Sequence, residues 1–523
     1  MRKLRPILAV IVALSILLLS GCADIQALFS NTDSDFYEIK AISDKAEIYN
    51  SIDISGDNIL LLTASGIENY KLTVYDAKNN KITAEVILND CPLDFIAGAK
   101  FKSENEIIVY DDGNDDAVIY DLALNQTGTT EYVNTDNYDS APESGLLNDS
   151  FSFYDTYAYF NQGDNCYFLF YDDPESVYVF DGTDETIYCA DGKNLFTEEV
   201  TYSKENDSSS ATVYVKDVES GLCVNKMELE DIPGDLFNNI LASAISDKYV
   251  CFANHVSNNN TGGSETALYL WKYAESPTNE KIEIKSMTES ELLEDNERMI
   301  SELHGTYGIN VYPNKKPITG YDVELGVPPI RINNALTQLS ACLALFPENF
   351  IQEIYKDAEY VNNFNIYIVD YIDGATAFAI DFLEDYEICF DSRGGFSKTV
   401  VFHELMHLID NRIITYYEEN GKDFISEWKK LNPADFEYGS EVDYDNPEEH
   451  FVSFYAMTTI DEDLADTFQT MYEAYIFEGD HRLKDYEHVK KKAVLLCEAI
   501  REAFPSMANA DEVCWEKYID LSK

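Results

Sequence analysis

The chain is poor in basic residues and in histidine. It has 37 lysines and arginines against 96 aspartates and glutamates, so its formal net charge is −59, and only 7 of its 523 residues are histidine. Proteins that bind nucleic acid neutralise phosphates with basic patches, so this balance argues against a nucleic-acid partner. A hydrophobic content of 45% with 13% aromatic residues excludes a generally disordered chain.

Cysteines are also few, and the 10 present include no Cys-x-x-Cys pair. This dispersal argues against a thiolate zinc site and against a small disulfide-rich fold. Export would permit disulfides. Because an odd number of cysteines follows Cys22, at least one thiol stays unpaired within a monomer.

Long apolar runs are confined to the N-terminus. Basic residues precede the run PILAVIVALSILLL, which is shorter than the roughly 20 residues of a membrane-spanning helix. A basic head, a short apolar stretch and small residues predict a secretory signal peptide at 1–21. The adjoining LSGC resembles the bacterial lipobox, which implies that Cys22 carries a lipid. We therefore expect an extracytoplasmic protein, anchored to the bacterial cell membrane through Cys22, with a tether at 22–35.

Residues 36–275 consist of short aromatic and β-branched runs separated by Asn, Asp and Gly clusters. This pattern predicts many short antiparallel strands, and hence an all-β domain. A strand closed by a polar turn recurs five times, centred near Tyr75, Tyr120, Phe180, Lys216 and Lys272. The spacings bracket the ~40–50 residues of a four-stranded propeller blade. The sequence favours a degenerate β-propeller; a sandwich or paired sheets are the competing arrangements.

The pattern changes after residues 276–281, which we interpret as a linker. Residues 288–305 have apolar side chains at helical spacing, and two further segments, INNALTQLSACLALF and ENFIQEIYKDA, are helix candidates. FNIYIVDYI, ATAFAI and YEICFD then have the composition of strands, and another helix is predicted to begin near Ser397. Helices combined with a small sheet predict an α+β domain over 282–523.

The stretch VVFHELMHLID, at residues 400–410, contains the main chemical signal. On a helix, His403 and His407 project from one face and can offer imidazole nitrogens to one zinc ion. Glu404 lies about 100° around the helix, where it can reach a water molecule without ligating the metal. An amphipathic helix with two satisfied histidines is the alternative. Apolar residues surround the pair, and burial without a partner would be costly, so we expect a catalytic Zn²⁺.

A third ligand is sought downstream, in the segment YGSEVDYDNPEEHFVSFYAM at 438–457. Asn446 and Pro447 form a helix-start signal, and Glu448 suits the first turn as a capping or dipole-complementing residue. Glu449 is then the candidate zinc ligand. The rival ligands are Asp443, Asp445 and His450.

HELMHLID followed by NPEEHFVSFYA resembles the zincin metallopeptidases related to the catalytic domain of toxin lethal factor. The resemblance covers about a third of the chain, residues 300–480. It implies that His403 and His407 are the histidine ligands, Glu404 the general base and Glu449 the glutamate ligand. It further implies that Tyr438, in YGS, supports the oxyanion of the tetrahedral intermediate, a role that fits charge stabilisation in the transition state.

Three departures from this family pattern matter. Residues EVDY stand between YGS and DNPEE, so Tyr444 competes with Tyr438 for the tyrosine role. Ser453 stands where the family usually repeats glutamate, four residues after the ligand, and loss of such a carboxylate weakens metal binding or activity. Asp410 is either a hydrogen-bond partner of a ligating histidine or a helix-end carboxylate in solvent.

The sequence therefore predicts a cell-surface zinc metallopeptidase that hydrolyses peptide bonds through zinc-activated water. Its expected partners are a peptide or protein substrate, the membrane, and a protein or glycan bound by the β domain. The alternative is a surface binding lipoprotein with a vestigial, inactive peptidase domain, an interpretation that Ser453 favours. A structural envelope protein that gathers Ca²⁺ has little support, because no DxDxDG-type loop is present.

Overall fold

A computed structural model gives the positions of most of the chain. The described residues are 36–39, 48–64, 69–89, 91–93, 96–111, 116–131, 146–147, 151–153, 157–162, 165–181, 185–203, 208–229, 240–258, 263–275, 277–282, 284–317, 321–356, 361–382, 385–394, 396–439, 449–477, 479–508, 510 and 513–521. Cys22, the signal segment and the tether lie outside them. The chain divides into two compact units, with the main boundary between Ser286 and Met287. No described helix combines the length and apolar character needed to cross a bilayer.

The first unit contains five antiparallel sheets. Sheet 1 consists of β2 (Ile48–Ser55), β3 (Asn58–Ala64), β4 (Tyr70–Asp76) and β5 (Lys81–Ile87). Sheet 2 consists of β6 (Gly98–Ser103), β7 (Glu106–Tyr110), β8 (Asp116–Asp121) and β9 (Gln126–Glu131). Sheet 3 consists of β10 (Ser152–Phe153), β11 (Tyr157–Gln162), β12 (Asn165–Phe170), β13 (Ser176–Asp181) and β22 (Ile284–Thr288).

Sheets 4 and 5 complete this unit. Sheet 4 consists of β14 (Glu185–Asp191), β15 (Asn194–Ser203), β16 (Ser208–Asp217), β17 (Leu222–Leu229) and β21 (Glu280–Lys281). Sheet 5 consists of β18 (Ile240–Ile245), β19 (Val250–Asn258), β20 (Gly263–Trp271) and the N-terminal strand β1 (Phe36–Glu38), which pairs antiparallel with β20. Each of the five repeat centres predicted from the sequence lies on, or directly after, a strand of a different sheet.

The apolar run in β3 shows why the sheets pack face to face. Successive side chains of a strand point to opposite faces. Ile59 and Leu61 join a buried cluster with residues of sheet 5, whereas Leu60 and Leu62 join a cluster with residues of sheet 2. A strand buried on both faces has a nearly continuous apolar sequence, whereas β5 alternates between half-buried and exposed positions. Sheet 1 is therefore covered on both sides.

The predicted linker includes residues that form sheet structure. Glu280 and Lys281 pair with Cys223 and Leu222 at the edge of sheet 4, and β22 follows within a few residues. The boundary between the units consequently falls slightly C-terminal to the predicted start of the second domain at 282. The short strands have little apolar character, so their sequence resembles a loop.

The second unit combines helices with a small mixed sheet, as an α+β domain. The helices are α1 (Glu289–Tyr307), α2 (Pro329–Leu343), α3 (Phe350–Lys356), α4 (Lys398–Glu419), α5 (Phe424–Lys429), α6 (Ile460–Ile476), α7 (His481–Asp485) and α8 (Glu487–Ala503). The main sheet has the order β23 (Ile309–Pro313), β25 (Asn363–Val369), β28 (Asp385–Asp391) and β27 (Ala377–Phe382). A two-stranded sheet pairs β24 (Val323–Glu324) with β26 (Tyr371–Ile372).

The sheet places its edge strand next to the longest helix. Strands β23, β25 and β28 are parallel, and β27 runs antiparallel to β28 at the edge. Helix α4 begins after the N-cap Ser397, whose side chain accepts a hydrogen bond from the backbone N–H of Val400 at 3.3 Å. Its residues Phe402, Leu405 and Met406 are fully buried in the core of the unit. The predicted helix start is thus the observed one.

A buried ion pair fixes α6 within this unit. Asp463 is fully buried, and its Oδ2 atom accepts hydrogen bonds from Lys492 Nζ at 2.6 Å, Trp428 Nε1 at 2.8 Å and the Tyr438 hydroxyl at 2.7 Å. Burial lowers the pKa of Lys492 to about 8, against the opposing effect of the Asp463 carboxylate. These bonds connect α6 with α5 and α8.

Replacing Lys492 should strongly destabilise the second unit. In Lys492→Met, the Asp463 carboxylate keeps its burial but loses its cation, so we expect a loss of about 3–5 kcal/mol in the free energy of unfolding. Urea unfolding measures this loss. The matched control is Lys491→Met, because Lys491 pairs with exposed Glu487 on the same helix, and its effect should stay within about 0.5 kcal/mol. Equal effects of the two substitutions would contradict this account of the pair.

Candidate metal centre

Two helices bring three metal-binding side chains together. His403 and His407 lie one turn apart on α4, and Glu462 lies in the first turn of α6. Glu462 Oε2 is 3.1 Å from His403 Nε2 and 3.6 Å from His407 Nε2. The potential ligand atoms of all three residues lie within 4.8 Å of one another, and among the described residues no other such group of three was found.

The donor set suits a catalytic zinc ion. Zinc sites in enzymes use three protein ligands, commonly imidazole nitrogens and a carboxylate oxygen, and leave a further position for water or substrate. His403 is buried, and His407 and Glu462 are half-buried, so the group lies at the edge of the core rather than on a freely exposed surface. Two largely buried imidazoles and a carboxylate on neighbouring helices therefore fit this metal.

Glu404 is held beside the group without belonging to it. Its side chain is buried, and it accepts a hydrogen bond from the backbone N–H of Ala379 on the edge strand β27. Among the described residues, no group forms a hydrogen bond with its Oε2 atom. Burial raises the pKa of Glu404 to about 7, although His403 opposes this shift. A carboxylate with a pKa near neutrality is suited to general acid–base chemistry.

Carboxylates dominate the electrostatics of the histidine pair. Burial disfavours the charged form of His403, but the carboxylates of Asp466, Glu462 and Glu404 together raise its pKa to about 10. Burial also opposes ionisation of Glu462, yet hydrogen bonding and charge from the histidines outweigh it and lower the pKa of this carboxyl group. The pKa of His407 is lowered by burial. The site therefore attracts cationic species.

Asp466 and Ser453 orient His403 from its other side. Asp466 Oδ1 lies 3.1 Å from His403 Nδ1, which leaves Nε2 directed towards Glu462. The Ser453 hydroxyl donates a hydrogen bond to Asp466 Oδ2 and accepts one from the backbone N–H of Ala456 at 3.0 Å. Asp466, four residues after Glu462, thus supplies the carboxylate that Ser453 was thought to have replaced. The Ser453 hydroxyl binds the Asp466 carboxylate, so a serine at this position does not indicate that the site lacks a carboxylate beside His403.

A tyrosine that the sequence analysis did not select lies at the group. Tyr455 is in a 3-10 turn (Tyr455–Met457), and its hydroxyl donates a hydrogen bond to Glu462 Oε1 at 3.0 Å. Its ring centroid is 6.1 Å from that of His403, and 54% of the residue is exposed. Burial and the nearby Glu462 carboxylate raise the pKa of Tyr455, so the phenol stays protonated at neutral pH.

Of the two tyrosines proposed from the sequence, Tyr438 makes its hydrogen bonds within the core and not with the metal-binding group. The Tyr438 hydroxyl donates to Asp463 and accepts a hydrogen bond from Asn432 Nδ2 at 2.8 Å, within the buried network that holds α6. The contacts of its hydroxyl are therefore structural, whereas the sequence predicted a catalytic role for Tyr438. Tyr444 lies outside the described residues.

Glu449 is likewise not brought to the histidines. It is exposed and does not belong to the metal-binding group, whose carboxylate is Glu462. The helix expected from Asn446 and Pro447 does not continue through 449–459, and the next helix begins at Ile460 after the N-cap Thr459. The structure therefore replaces Glu449 by Glu462 as the candidate third ligand.

His450, one of the rival ligands, does not belong to the metal-binding group either. His450 directs Nδ1 to the carbonyl oxygen of Leu431 at 2.9 Å and stacks on His488 with ring centroids 4.0 Å apart. Asp443 and Asp445 lie outside the described residues.

A signal for Glu462 was present in the sequence TTIDEDLADTF at 458–468. Thr459 is a favourable N-cap residue, and acidic residues follow it in the first helical turn. Glu462 and Asp466 are four residues apart, which is the ligand-plus-carboxylate spacing that the NPEEHFVS segment lacks. The spacing places both side chains on one face of a helix, so α6 is one of several segments that carry such a pair.

No protein-family model matches the chain, and no match was found among curated proteins. Similar solved structures include a candidate zinc-binding metallo-peptidase from Bacteroides caccae ATCC 43185, with 12% identity and a TM-score of 0.29 over 44% of this chain and 96% of that one. A member of the duf4221 family from Bacteroides vulgatus has 9% identity and a TM-score of 0.26, over 46% of this chain and 93% of that one. A mutant of puromycin hydrolase has 9% identity and a TM-score of 0.22, over 46% of this chain and 56% of that one. At such low sequence identities and TM-scores, none of these structures adds evidence to the geometry of the site.

Substitution of Glu462 should separate the observed ligand set from the expected one. Glu462→Gln keeps the size of the side chain but removes the anionic donor, so we expect zinc affinity to fall by at least about tenfold. Isothermal titration of the metal-free protein with zinc measures this change. Glu449→Gln is the control and should bind zinc as the native chain does. A loss of zinc affinity in Glu449→Gln but not in Glu462→Gln would identify Glu449 as the ligand.

Proposed function

We propose that the protein is a zinc metallopeptidase. The observation that carries this proposal is the convergence of His403, His407 and Glu462, with buried Glu404 beside them. This arrangement joins a metal-binding group to a carboxylate that has an unpaired oxygen and a pKa of about 7. Hydrolysis of a stable amide needs an activated water molecule and a proton acceptor, and the site has residues for both tasks.

The roles of the side chains follow from their positions. Bound zinc supplies a Lewis acid that lowers the pKa of water and polarises a carbonyl group. Glu404 is proposed to accept the proton of the attacking water and to pass it to the leaving amine. The Ala379 N–H steadies the carboxylate, and no described group forms a hydrogen bond with its Oε2 atom, so we assign the proton to this oxygen.

The edge strand β27 is suited to hold an extended peptide. It pairs with β28 on one side only, and Ala379 lies against Glu404. An edge strand presents unpaired backbone groups, which can bind a peptide by strand addition. Tyr455 is protonated and half-exposed at the group, so we assign it the stabilisation of negative charge on the carbonyl oxygen.

We further propose the setting expected from the sequence. The five sheets, their face-to-face packing and the closure of sheet 5 by β1 support a five-bladed β-propeller. We assign to it the binding of a protein or glycan. The lipobox-like LSGC supports an extracytoplasmic protein anchored through Cys22. The vestigial-peptidase alternative loses its main argument, because Asp466 supplies the carboxylate next to His403.

Glu404→Gln should leave zinc binding intact and abolish proteolysis. The substitution preserves volume and hydrogen bonding but removes the proton acceptor, so we expect kcat to fall by about 10²–10⁴-fold. Zinc content and cleavage of a fluorogenic peptide library are measured on the same preparation. Cleavage at the native rate by the zinc-loaded variant would refute the mechanism.

The two tyrosines should differ in their effects. Tyr455→Phe removes a donor next to the group and should lower kcat about 10²–10³-fold, with little change in thermal stability. Tyr438→Phe removes a bond to buried Asp463 and should lower stability by about 1 kcal/mol, while the folded variant keeps its activity. Calorimetry and peptide kinetics give both quantities. A large kinetic effect from Tyr438→Phe alone would restore the assignment from the sequence.

A further inference from the structure

Two histidines outside the metal-binding group stack on each other. The ring of His450 lies on that of His488, in the first turn of α8, with centroids 4.0 Å apart and an angle of 26° between the ring planes. His450 Nδ1 is 2.9 Å from the carbonyl oxygen of Leu431. Because a carbonyl oxygen only accepts hydrogen bonds, this nitrogen carries the proton, and Nε2 is the atom that can gain one. His488 Nδ1 is buried, and no described group forms a hydrogen bond with it.

The stack tolerates one additional proton but not two. A cation on His450 Nε2 would lie on a neutral ring, which is a favourable arrangement. A proton on His488 Nδ1 would be a buried donor without an acceptor among the described residues, and it would place two cations face to face. Burial, His450 and Lys491 lower the pKa of His488, against the opposing charges of Glu487 and Glu449. The stability that the neutral stack contributes is therefore present above the ordinary pKa of histidine and is lost as the pH falls below it.

The stack is one of the contacts that hold residues 449–457 against α7 and α8. Lys492, one turn after His488 on α8, places its Nζ atom 4.0 Å from the centroid of the Phe451 ring. The carbonyl oxygen of Val452 accepts a hydrogen bond from Arg482 Nη1 at 3.0 Å. No α-helix or strand is formed between residues 449 and 459, so contacts of this kind fix the position of the segment.

The same segment continues into the candidate metal centre. The Ser453 hydroxyl donates a hydrogen bond to Asp466, and the Tyr455 hydroxyl donates one to Glu462 at 3.0 Å. Only Phe451 and Val452 separate His450 from Ser453 in the chain. A displacement of His450 is therefore passed to Ser453 and Tyr455 through irregular backbone.

We propose that the His450–His488 stack is an acid-sensitive switch that regulates the candidate metal centre. Protonation of both rings separates them, releases residues 449–457 from α8 and withdraws the Tyr455 hydroxyl from the metal-binding group. The effect on catalysis rests on the proposed peptidase function, whereas the release of the segment does not.

Amide hydrogen exchange tests the switch without reference to activity. For the zinc-loaded native chain, lowering the pH from about 7.5 to about 5.5, where histidine titrates, should reduce the protection factors of residues 451–458 at least about tenfold. His488→Phe keeps an aromatic ring against His450 but cannot take up a proton, so its protection factors should change by less than about twofold. The matched control is His481→Phe, whose native side chain is 71% exposed, and it should behave as the native chain does. Loss of zinc at the lower pH would affect all three proteins equally.

Peptide hydrolysis connects the switch to the site. The acid limb of the kcat profile should lie at least about half a pH unit lower in His488→Phe than in the native chain, with equal kcat at about pH 7.5. If the native chain cleaves no peptide, the proposed function fails, and the exchange result still decides the inference.

Equal losses of protection in the native chain and in His488→Phe would overturn the switch, as would undiminished protection of the native chain at the lower pH. If His488→Phe does not fold, His450→Asn takes its place in the comparison. This variant keeps a donor for the Leu431 carbonyl oxygen but removes the stacked imidazole, so its protection factors should likewise not depend on pH.

Discussion

The close packing of α6 against α4 is the constraint on which the site depends. It sets the Glu462 carboxylate 3.1 Å from His403 Nε2 and 3.6 Å from His407 Nε2, and so converts a helical histidine pair into a three-residue group. Neither helix forms the group alone, because both histidines lie on α4 and Glu462 lies on α6. Any change that shifts the first turn of α6 will therefore alter the site.

One short stretch of α6 performs several tasks. Glu462 faces the histidines, Asp463 turns into the core to meet Lys492, and Asp466 returns to the first face one turn later to orient His403. The buried ion pair next to the candidate ligand fixes the rotation of the helix, because a rotated helix would leave a charged group without a partner. Stability and site geometry are thus connected through adjacent residues. The Tyr455 turn is joined to the same stretch through Ser453 and Asp466.

The parts of this arrangement that depend on local sequence were predictable. The four-residue spacing of His403 and His407, the Ser397 cap and the apolar surroundings define a buried helix by themselves. The repeat centres also located one strand in each of five sheets, because alternation and turn residues are local signals. The third ligand depends on which distant segment packs against α4, and helix-start residues before Glu449 gave a misleading local signal. A criterion based on two carboxylates one helical turn apart includes Glu462 and Asp466 but also other pairs, such as Glu498 and Glu502, so the packing of α6 against α4 was needed to identify the ligand.

A crystal structure of the second unit within the full chain, grown with zinc and measured at the zinc absorption edge, tests the central claim most directly. The account predicts one anomalous peak bonded to His403 Nε2, to a ring nitrogen of His407 and to a carboxylate oxygen of Glu462, with Asp466 on His403 Nδ1. A peak coordinated by another carboxylate, or no peak at the histidine pair, would contradict it.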